Sequence, residues 1–294
     1  MKCNMTTLGI IGIGKWGQIL LEEFSKNSNI TNCVSKGNNQ NRNWLKKRYP
    51  NIEFSTNYNS ILKNTNIEGV IIATPIKTHF KLAYKALLSG KHIFVEKTIS
   101  EKSEEGKKLL ELAKKNNLEI FVGYEFLYHS VFQKLKNINK NEKIIELKCD
   151  WYKFGSFNEN IFYDLVSHFL SISINLFGTP NKIEIQEKIS ITTKCDITRL
   201  ELKYNNKKVT IYVNRVSNSK RRIINIITDK NLYIWENEDL FKFHKSNNKK
   251  IKIKNTSSVE NESKEFLKQI KNSKYDYKNA KNAISVLKLI ESEK

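Results

Sequence analysis

The sequence predicts an α/β protein: a doubly wound parallel sheet over residues 1–122 and a second α/β domain with an open, mostly antiparallel sheet over 123–294. Three observations lead to this fold class. Strand-like apolar runs alternate with amphipathic segments of helical spacing up to about residue 122. Beyond it, several strand-like segments follow one another across short polar turns, which is typical of antiparallel pairing. A length of 294 residues is ample for two hydrophobic cores.

The elements of the first domain are assigned from hydrophobic periodicity. Short apolar runs are assigned as strands, and segments with apolar residues at helical spacing are assigned as helices. The predicted strands are 8–13, 30–34, 69–75, 92–97 and 118–124. The predicted helices are 16–24, 43–49, 79–90 and 103–117, and a polar loop occupies 36–43. Strands that alternate with helices in this way predict parallel pairing.

The second domain opens with a predicted helix over 126–138 and an alternating, half-exposed strand over 144–154. A largely apolar helix follows over 161–177. Sequential strands are then predicted at 182–191, 197–204, 208–216, 222–228 and 232–237. A charged hairpin or loop is expected at 244–255, and two helices are expected between 259 and 292.

The composition argues against several classes of protein. The net charge of +21 comes from lysines scattered over helix faces and loops, in a chain also rich in Asn and Ile, a pattern that codon bias produces. We therefore expect no nucleic-acid partner, only a positive field that attracts anionic small molecules. No apolar run is long enough for a membrane span, and we expect no signal peptide. Dispersed cysteines (Cys3, Cys33, Cys149, Cys195) predict neither disulfides nor a metal site, and indicate the cytoplasm.

A glycine-rich loop follows the first predicted strand and opens the first helix. It reads G-x-G-x-x-G from Gly12 to Gly17. In this context the first glycine makes a tight turn, the second admits a pyrophosphate, and the third lets helix and strand pack closely. We predict dinucleotide contacts at Gly12, Ile13, Gly14, Lys15 and Trp16. The alternative is a simple tight turn without a ligand.

The end of the second strand bears on which dinucleotide binds. An NAD site favours an acidic residue here, about 20 residues after the loop, to bind the ribose hydroxyls. This chain has Ser35 and Lys36 instead, a hydroxyl and a cation that suit a 2′-phosphate. We therefore expect NADP or NAD, with NADP favoured. The alternative is that Lys36 is one more exposed lysine.

Two further pairs of polar residues interrupt apolar segments. Glu96 and Lys97 stand where the strand "HIFVEK" ends, which indicates either a solvated loop or a catalytic lysine at the carboxyl edge of a parallel sheet. In the apolar helix 161–177, Asp164 and His168 fall on one stripe. A carboxylate four residues before an imidazole can orient it for proton transfer. The alternative is a polar pair at an interface.

Taken together, these segments resemble the Gfo/Idh/MocA family of NAD(P)-dependent oxidoreductases over nearly the whole chain. The similar segments are "GIGKWGQ", "ATPIKTH", "GKHIFVEKTIS", "VGYEFLYHS", "YDLVSH" and "NRVSNSKRRIINIIT". The resemblance is to the subgroup that acts on sugars and nucleotide sugars. It implies a Rossmann domain, followed by an α/β domain whose sheet forms the subunit interface of a homodimer or homotetramer.

The resemblance also implies an activity and its residues. The expected reaction is hydride transfer between the nicotinamide and a sugar or nucleotide-sugar hydroxyl or ketone, an oxidoreductase acting on CH–OH groups. Lys97 and His168 are the expected acid/base pair, and Asp164 orients the histidine or relays protons. Further cofactor contacts are expected at Ala73, Thr74, Pro75, His79, Glu96 and Lys97. The predicted substrate contacts are Tyr124, Tyr152, Asp164 and His168.

Three positions depart from the family pattern. Thr98 replaces the proline after the lysine, Tyr124 replaces a histidine, and the acid at the end of the second strand is absent. Two alternatives to a sugar oxidoreductase stay open. One is an enzyme acting on a non-sugar carbonyl or imine, or a lyase using the cofactor transiently. The other is a dinucleotide-binding protein without catalysis.

Overall fold

The chain forms two compact units in a computed structural model that describes residues 5–36, 39–254, 256–272 and 275–293. One unit comprises Met1–Glu125 with Val259–Ile284, and the other comprises Phe126–Ser258 with Ser285–Lys294. Three of the predicted free cysteines are buried thiols, and Cys3 lies outside the described residues. Within the described chain, no helix has both the length and the apolar content needed to cross a bilayer.

The first unit is built on a six-stranded parallel sheet of order β3-β2-β1-β4-β5-β6. Its strands are β1 (Thr7–Ile11), β2 (Asn29–Val34), β3 (Glu53–Ser55), β4 (Gly69–Ile72), β5 (His92–Glu96) and β6 (Ile120–Gly123). The strands β4 and β6 are buried throughout, as expected where helices cover both faces of a parallel sheet. The predicted doubly wound sheet is confirmed.

The helices of this unit are α1 (Lys15–Ser25), α2 (Asn39–Arg48), α3 (Asn59–Leu62), α4 (His79–Leu88) and α5 (Ser103–Lys115). Two details differ from the sequence prediction. The helix α2 begins at Asn39, inside the predicted polar loop, and the short elements β3 and α3 were not predicted. The start of α2 was missed because α2 buries only Leu45, so hydrophobic periodicity carries no signal there. The elements β3 and α3 were missed because they are only three and four residues long.

The tail forms the two predicted helices, α8 (Ser258–Lys271) and α9 (Lys278–Glu291). The sequence predicts a single second domain over 123–294. In the structure, α8 and the first half of α9 belong to the first compact unit. The packing explains the grouping, since Phe266 contacts three aromatic rings of that unit: Phe24, Phe94 and Phe121. Such contacts join distant parts of the chain, and no local pattern predicts them.

A buried carboxyl group beside β6 makes the stability of the chain depend on pH. Glu119 is only 1% exposed. Burial, reinforced by the charges of Asp276 and Glu265, raises the pKa of Glu119 from 4.5 to about 8. Between these two values the folded state keeps a proton that the unfolded chain has released. The free energy of unfolding therefore falls as pH rises through this window.

Replacing Glu119 with glutamine should remove this dependence. We expect the wild-type melting temperature to fall between pH 5 and pH 8, and E119Q to fall less, because one titrating group contributes ~1.4 kcal/mol per pH unit at most. Thermal unfolding at pH 5, 6.5 and 8 measures the slope. The exposed Glu111, changed to glutamine, is the matched control. Equal slopes in E119Q and wild type would contradict the assignment.

The second unit is built on an eight-stranded sheet of order β14-β13-β12-β11-β7-β10-β9-β8. Its strands are β7 (Ile144–Phe154), β8 (Lys182–Ile189), β9 (Ile197–Lys203), β10 (Lys208–Asn214), β11 (Val216–Thr228), β12 (Leu232–Glu236), β13 (Asp239–His244) and β14 (Asn247–Lys250). The pair β10–β7 is parallel and the other pairs are antiparallel. The prediction of a mostly antiparallel sheet is confirmed.

The predicted helix over 161–177 has two parts. Residues Phe162–Val166 form a π-helical turn, and α7 (Ser167–Phe177) continues as an α-helix. Asp164 lies within the π turn and His168 lies in α7, whereas the prediction assumed regular α spacing between them. Two hydroxyls bond back to the chain here, Ser167 Oγ to the Tyr163 carbonyl and Ser171 Oγ to the His168 carbonyl. This unit also contains α6 (Ser130–Asn141) and the second half of α9.

Arg215, between β10 and β11, ties together the loops around the start of this helical segment. Its Nε donates to Asp196 Oδ1 at 3.1 Å, and both side chains are almost fully buried. Nη1 donates to the carbonyls of Ser156 and Glu159, and Nη2 to the Thr193 hydroxyl and the Cys195 carbonyl. All five N–H donors of the guanidinium are thus used. Arg215 thereby holds the loop that leads into the π turn.

Candidate functional site

The glycine loop after β1 has the geometry that a dinucleotide site requires. Gly12 has φ +96°, and a Cβ there would lie 2.3 Å from the Ala73 carbonyl oxygen. A Cβ on Gly17 would lie 2.1 Å from the Gly12 carbonyl oxygen. By contrast, a Cβ on Gly14 would meet nothing within 4 Å. The first and third glycines are therefore needed for packing, and the second faces open space, as a pyrophosphate site demands.

A cavity of about 470 Å³ opens in front of this loop, within the first unit. Gly14 is the N-cap of α1 and no side chain caps that end, so the first amides of the helix are available to an anion. Ala73, Thr74 and Pro75 also line the cavity. The predicted loop and the predicted "ATP" segment thus meet at one cavity, and their residues fit a dinucleotide.

The charges around this cavity favour a polyanion. Ser35 and Lys36 line it, as predicted from the end of β2. Lys81, two residues into α4, lines it as well, and no acidic residue is among its described lining residues. The lining residues that the sequence analysis did not predict include Lys81, Thr56 and Tyr58. Lys81 follows the quoted motif by two positions and could have been found. Thr56 and Tyr58 follow the unpredicted β3 and could not.

His79 lies beneath the cavity. It is 1% exposed, and its ring nitrogens lie 2.7 Å from two carbonyl oxygens, Nδ1 from Thr98 and Nε2 from Thr74. Burial, assisted by the charge of Lys97, lowers the pKa of His79 against the opposing effect of the two carbonyls. His79 therefore links the segment after β4 to the turn after β5. Its contacts fix the backbone at Thr74, which lines the cavity, and at Thr98.

The turn after β5 carries the predicted acid and base. Burial raises the pKa of Glu96 to about 7, although the Trp16 indole and the Lys97 charge oppose the shift. The peptide bond from Lys97 to Thr98 is cis. Thr98 is 1% exposed, its hydroxyl donates to the Ser100 carbonyl at 2.8 Å, and its carbonyl meets His79. Hydrogen bonds thus hold the turn in which the family has a proline.

Tyr124 and two further carboxyl groups surround Glu96 within the first unit. Tyr124 is 2% exposed, and burial together with the Glu96 charge raises the pKa of its phenol. Glu262 of α8 is also buried, and burial, with the charges of Glu96 and Glu125, raises its pKa well above the ordinary value. The carboxyl groups of Glu96, Glu125 and Glu262 therefore influence one another electrostatically.

In the second unit, His168 lies against aromatic rings. Its imidazole is 4.7 Å from the ring centroid of Phe126 and 5.7 Å from that of Trp151. His168 is 7% exposed, whereas Asp164 in the π turn is partly exposed. The predicted histidine therefore packs against two aromatic side chains, and the sequence analysis did not predict these contacts.

The predicted substrate residue Tyr152 has a different position. Successive side chains of a strand point to opposite faces of a sheet. Trp151 packs against His168 and Phe169 on the α7 face, so Tyr152 points to the other face, where its ring meets Tyr212 at 5.5 Å. The strand residue beside His168 is thus Trp151 and not Tyr152. The alternating pattern of β7 was visible in the sequence, but which face meets α7 was not.

Comparison with known proteins agrees with this geometry. The profile of an oxidoreductase family with an NAD-binding Rossmann fold, Gfo/Idh/MocA, matches residues 6–124. Residues 6–124 thus form a Rossmann domain of the Gfo/Idh/MocA type. The match covers β1 through β6, with the glycine loop, the "ATP" segment and the Glu96–Lys97 turn. Over residues 6–124, the resemblance predicted from the motifs is confirmed.

Individual relatives extend the comparison. An uncharacterized oxidoreductase of Schizosaccharomyces pombe is 30% identical over 174 residues, 53% of this chain and 47% of that protein. The NADP⁺-dependent scyllo-inositol 2-dehydrogenase of Bacillus subtilis is 22% identical over 203 residues, 62% of this chain and 54% of that one. The matches thus span about half the length of these Gfo/Idh/MocA relatives. UDP-N-acetylglucosamine 3-dehydrogenase of Acidithiobacillus ferrooxidans has the same fold, with TM-score 0.89, 19% identity, and coverage of 97% and 95% of the two chains.

Proposed function

We propose that this protein is an NAD(P)-dependent oxidoreductase that transfers a hydride between the nicotinamide and a hydroxyl or ketone of a sugar or nucleotide sugar. The observation that carries the proposal is the glycine-loop cavity, whose open second glycine and acid-free lining suit a dinucleotide. The family match over the same residues supports it. A sugar-like substrate is supported by the dehydrogenases among the similar proteins.

In this proposal the bound nicotinamide supplies or accepts the hydride, and side chains of the protein handle the proton. When an alcohol is oxidised, its C–H hydrogen leaves as hydride, its O–H proton passes to a base, and a carbonyl forms. Lys97 and His168 are proposed as the acid/base residues. Asp164 is proposed to orient the His168 imidazole or to relay protons.

We extend the proposal to NADP as the favoured cofactor. Two lysines line the cavity without a carboxylate in the described lining, and Ser35 adds a hydroxyl at the end of β2. An additional phosphate carries about two negative charges, so this lining would bind NADP more tightly than NAD. The cytoplasmic setting, and association into a homodimer or homotetramer through the eight-stranded sheet, belong to the same proposal.

Replacing Lys36 with methionine should weaken NADPH binding at least about tenfold and leave NADH binding nearly unchanged, because one charge-assisted contact is worth ~1.5–3 kcal/mol. Fluorescence titration of both reduced cofactors measures the two dissociation constants. Lys46 on the exposed side of α2, changed to methionine, controls for the loss of one positive charge. Wild-type protein that prefers NADH, or K36M that loses both cofactors equally, would contradict the assignment.

The function itself is tested in two stages. NADH and NADPH are first titrated to establish binding. Sugars, nucleotide sugars, and non-sugar carbonyls and imines are then screened for oxidation or reduction of the cofactor by absorbance at 340 nm. Turnover with a sugar supports the proposal. Turnover only with a non-sugar carbonyl or imine favours the other enzyme class. Cofactor binding without turnover across the whole screen favours a non-catalytic dinucleotide-binding protein.

A further inference from the structure

The side chain of Tyr58 is fixed in the wall of the glycine-loop cavity. Lys85 Nζ, on α4, donates a hydrogen bond to the Tyr58 hydroxyl and lies 4.7 Å from the centroid of its ring. This hydrogen bond lowers the pKa of Tyr58. Both side chains are half-buried, and Tyr58 is among the residues that line the cavity. The phenol is thus held at its oxygen while its ring forms part of the cavity surface.

The backbone of Tyr58 is fixed as well. Tyr58 is the N-cap of α3, and its carbonyl accepts from the amides of Ile61 at 3.1 Å and Leu62 at 3.3 Å. Ile61 is 0% exposed and packs on Gly9 of β1, where a Cβ would lie 2.9 Å from the Ile61 side chain. The short helix α3 therefore anchors Tyr58 to the core of the first unit. A ring held in this way loses little freedom when a ligand packs against it.

The order of the strands relates Tyr58 to one end of a dinucleotide. In a Rossmann unit the pyrophosphate lies at the glycine loop after β1, and the ribose of the adenosine lies at the end of β2. The strand β3 pairs with β2, with Ser55 opposite Val34, so the segment after β3 lies beyond the ribose position and away from β1. Tyr58 is in that segment and lines the same cavity as Gly14 and Lys36. We therefore expect the base that follows the ribose to meet Tyr58.

The rest of this wall suits the face of a purine. Pro75 and Leu82 line the cavity together with Tyr58 and are apolar. Lys81, one turn before Lys85 on α4, lines it too and supplies positive charge. Every base has a π-face that stacks on an aromatic ring, and such stacking needs no hydrogen-bond match to the base. An aromatic ring with apolar neighbours and a cation close by therefore fits an adenosine that carries phosphate.

We propose that Tyr58 is the side chain on which the adenine ring of the dinucleotide stacks, and that Lys85 is a positioning residue that fixes the phenol for this contact. The inference rests on the proposed function, because it takes a dinucleotide to occupy the cavity. It adds to that function a residue that binds the base and a residue that acts through it. Neither takes part in proton transfer, so the binding of adenosine fragments tests both without turnover.

Isothermal titration measures the binding of NADPH, 5′-AMP, 2′,5′-ADP and reduced nicotinamide mononucleotide, which lacks the adenosine half. In Y58A we expect NADPH and both adenosine fragments to bind about tenfold more weakly, the usual effect of removing an aromatic side chain that stacks on a base. The reduced mononucleotide should bind as it does to wild type. Tyr84, 38% exposed on α4 and outside the described lining of the cavity, is the matched control, and Y84A should leave all four affinities unchanged.

A double-mutant cycle tests the positioning role of Lys85. The variants K85M and Y58F break the same hydrogen bond and leave the ring in place. Each should weaken the binding of NADPH and 5′-AMP about two- to threefold. The double variant should bind no more weakly than either single variant, because the second change removes nothing further. A lysine that contacted a phosphate directly would instead weaken 2′,5′-ADP more than 5′-AMP and add to the effect of Y58F.

Several outcomes would overturn the proposal. Unchanged affinities in Y58A would exclude the stacking contact. A loss in Y58F as large as that in Y58A, or a loss confined to 2′,5′-ADP, would show that the hydroxyl binds a phosphate instead. Equal weakening of 5′-AMP and the reduced mononucleotide in Y58A would show that the change acts on the fold. Additive effects of K85M and Y58F would exclude the positioning role of Lys85.

The failure of this inference and the failure of the proposed function look different. NADPH binding that is insensitive to Tyr58 refutes the inference and leaves the oxidoreductase standing. Tyr58-dependent binding of adenosine fragments in a protein that turns over no substrate refutes the oxidoreductase and leaves the base contact standing. Wild-type protein that binds neither dinucleotide nor adenosine fragments refutes both.

Discussion

Replacing Lys97 with methionine should abolish turnover, by at least about 10³-fold, and leave NADPH binding within about twofold of wild type. Lys97 follows the last residue of β5, at the carboxyl edge of the parallel sheet where ligands of such sheets bind. Methionine keeps most of the aliphatic volume of lysine and removes only its charge and its protons. The variant therefore separates proton transfer from the binding of the dinucleotide.

Single-turnover and steady-state rates at 340 nm measure the effect, and fluorescence titration measures cofactor affinity. Lys102 offers a matched control, because it is exposed and lies five residues further on, so K102M makes the same chemical change outside the turn. We expect K102M to be as active as wild type. Turnover by K97M within about tenfold of wild type would rule Lys97 out as the acid/base residue.

Replacing Arg215 with methionine should cost about 3–5 kcal/mol of unfolding free energy, because it leaves the Asp196 carboxylate buried without its countercharge. Asp196 is 0% exposed and accepts from the amides of Ile191 and Thr193 as well as from Arg215. The change also frees the carbonyls of Ser156 and Glu159 from their donor. We expect the loop before the π turn to loosen together with the loss of stability.

Urea unfolding followed by tryptophan fluorescence measures the free energy. Arg221 provides the contrast, since its ion pair with Glu236 is largely exposed and such pairs contribute only about 0–1 kcal/mol. A double-mutant cycle of R215M with D196N then isolates the coupling between the two side chains. A loss below about 1 kcal/mol in R215M would show that the ion pair is no more important than a surface one.

Much of the fold could be predicted from sequence because its signals are local. The apolar runs of the first unit are buried between helices, and their alternation with amphipathic segments indicates parallel pairing before any contact is known. The elements that were missed, β3 and α3, are three and four residues long. An element of that length buries too few side chains to leave a periodic pattern.

The part of the candidate site around the glycine loop could also be predicted from sequence. The glycine loop and the end of β2 lie close together in the chain, and the expectations about them follow from backbone geometry. The hydrogen bonds that hold the turn at Thr98 could not be predicted from sequence. The backbone of this turn is held by His79, 19 residues earlier in the chain, which also bonds to the segment after β4. A hydrogen bond between two strand ends depends on the order of strands in the sheet, which the motif itself does not state.

The sequence by itself determined that the chain has a parallel α/β unit with a dinucleotide loop, a lysine at a strand end, and a histidine on a buried helix. Only the tertiary structure decided that α8 packs into the first unit, that Trp151 and not Tyr152 meets His168, and that Lys85 holds Tyr58 in the wall of the cavity. The physical reason is common to all three. Periodicity along an element specifies which residues share a face, but the partner of that face is chosen by packing between residues far apart in the chain.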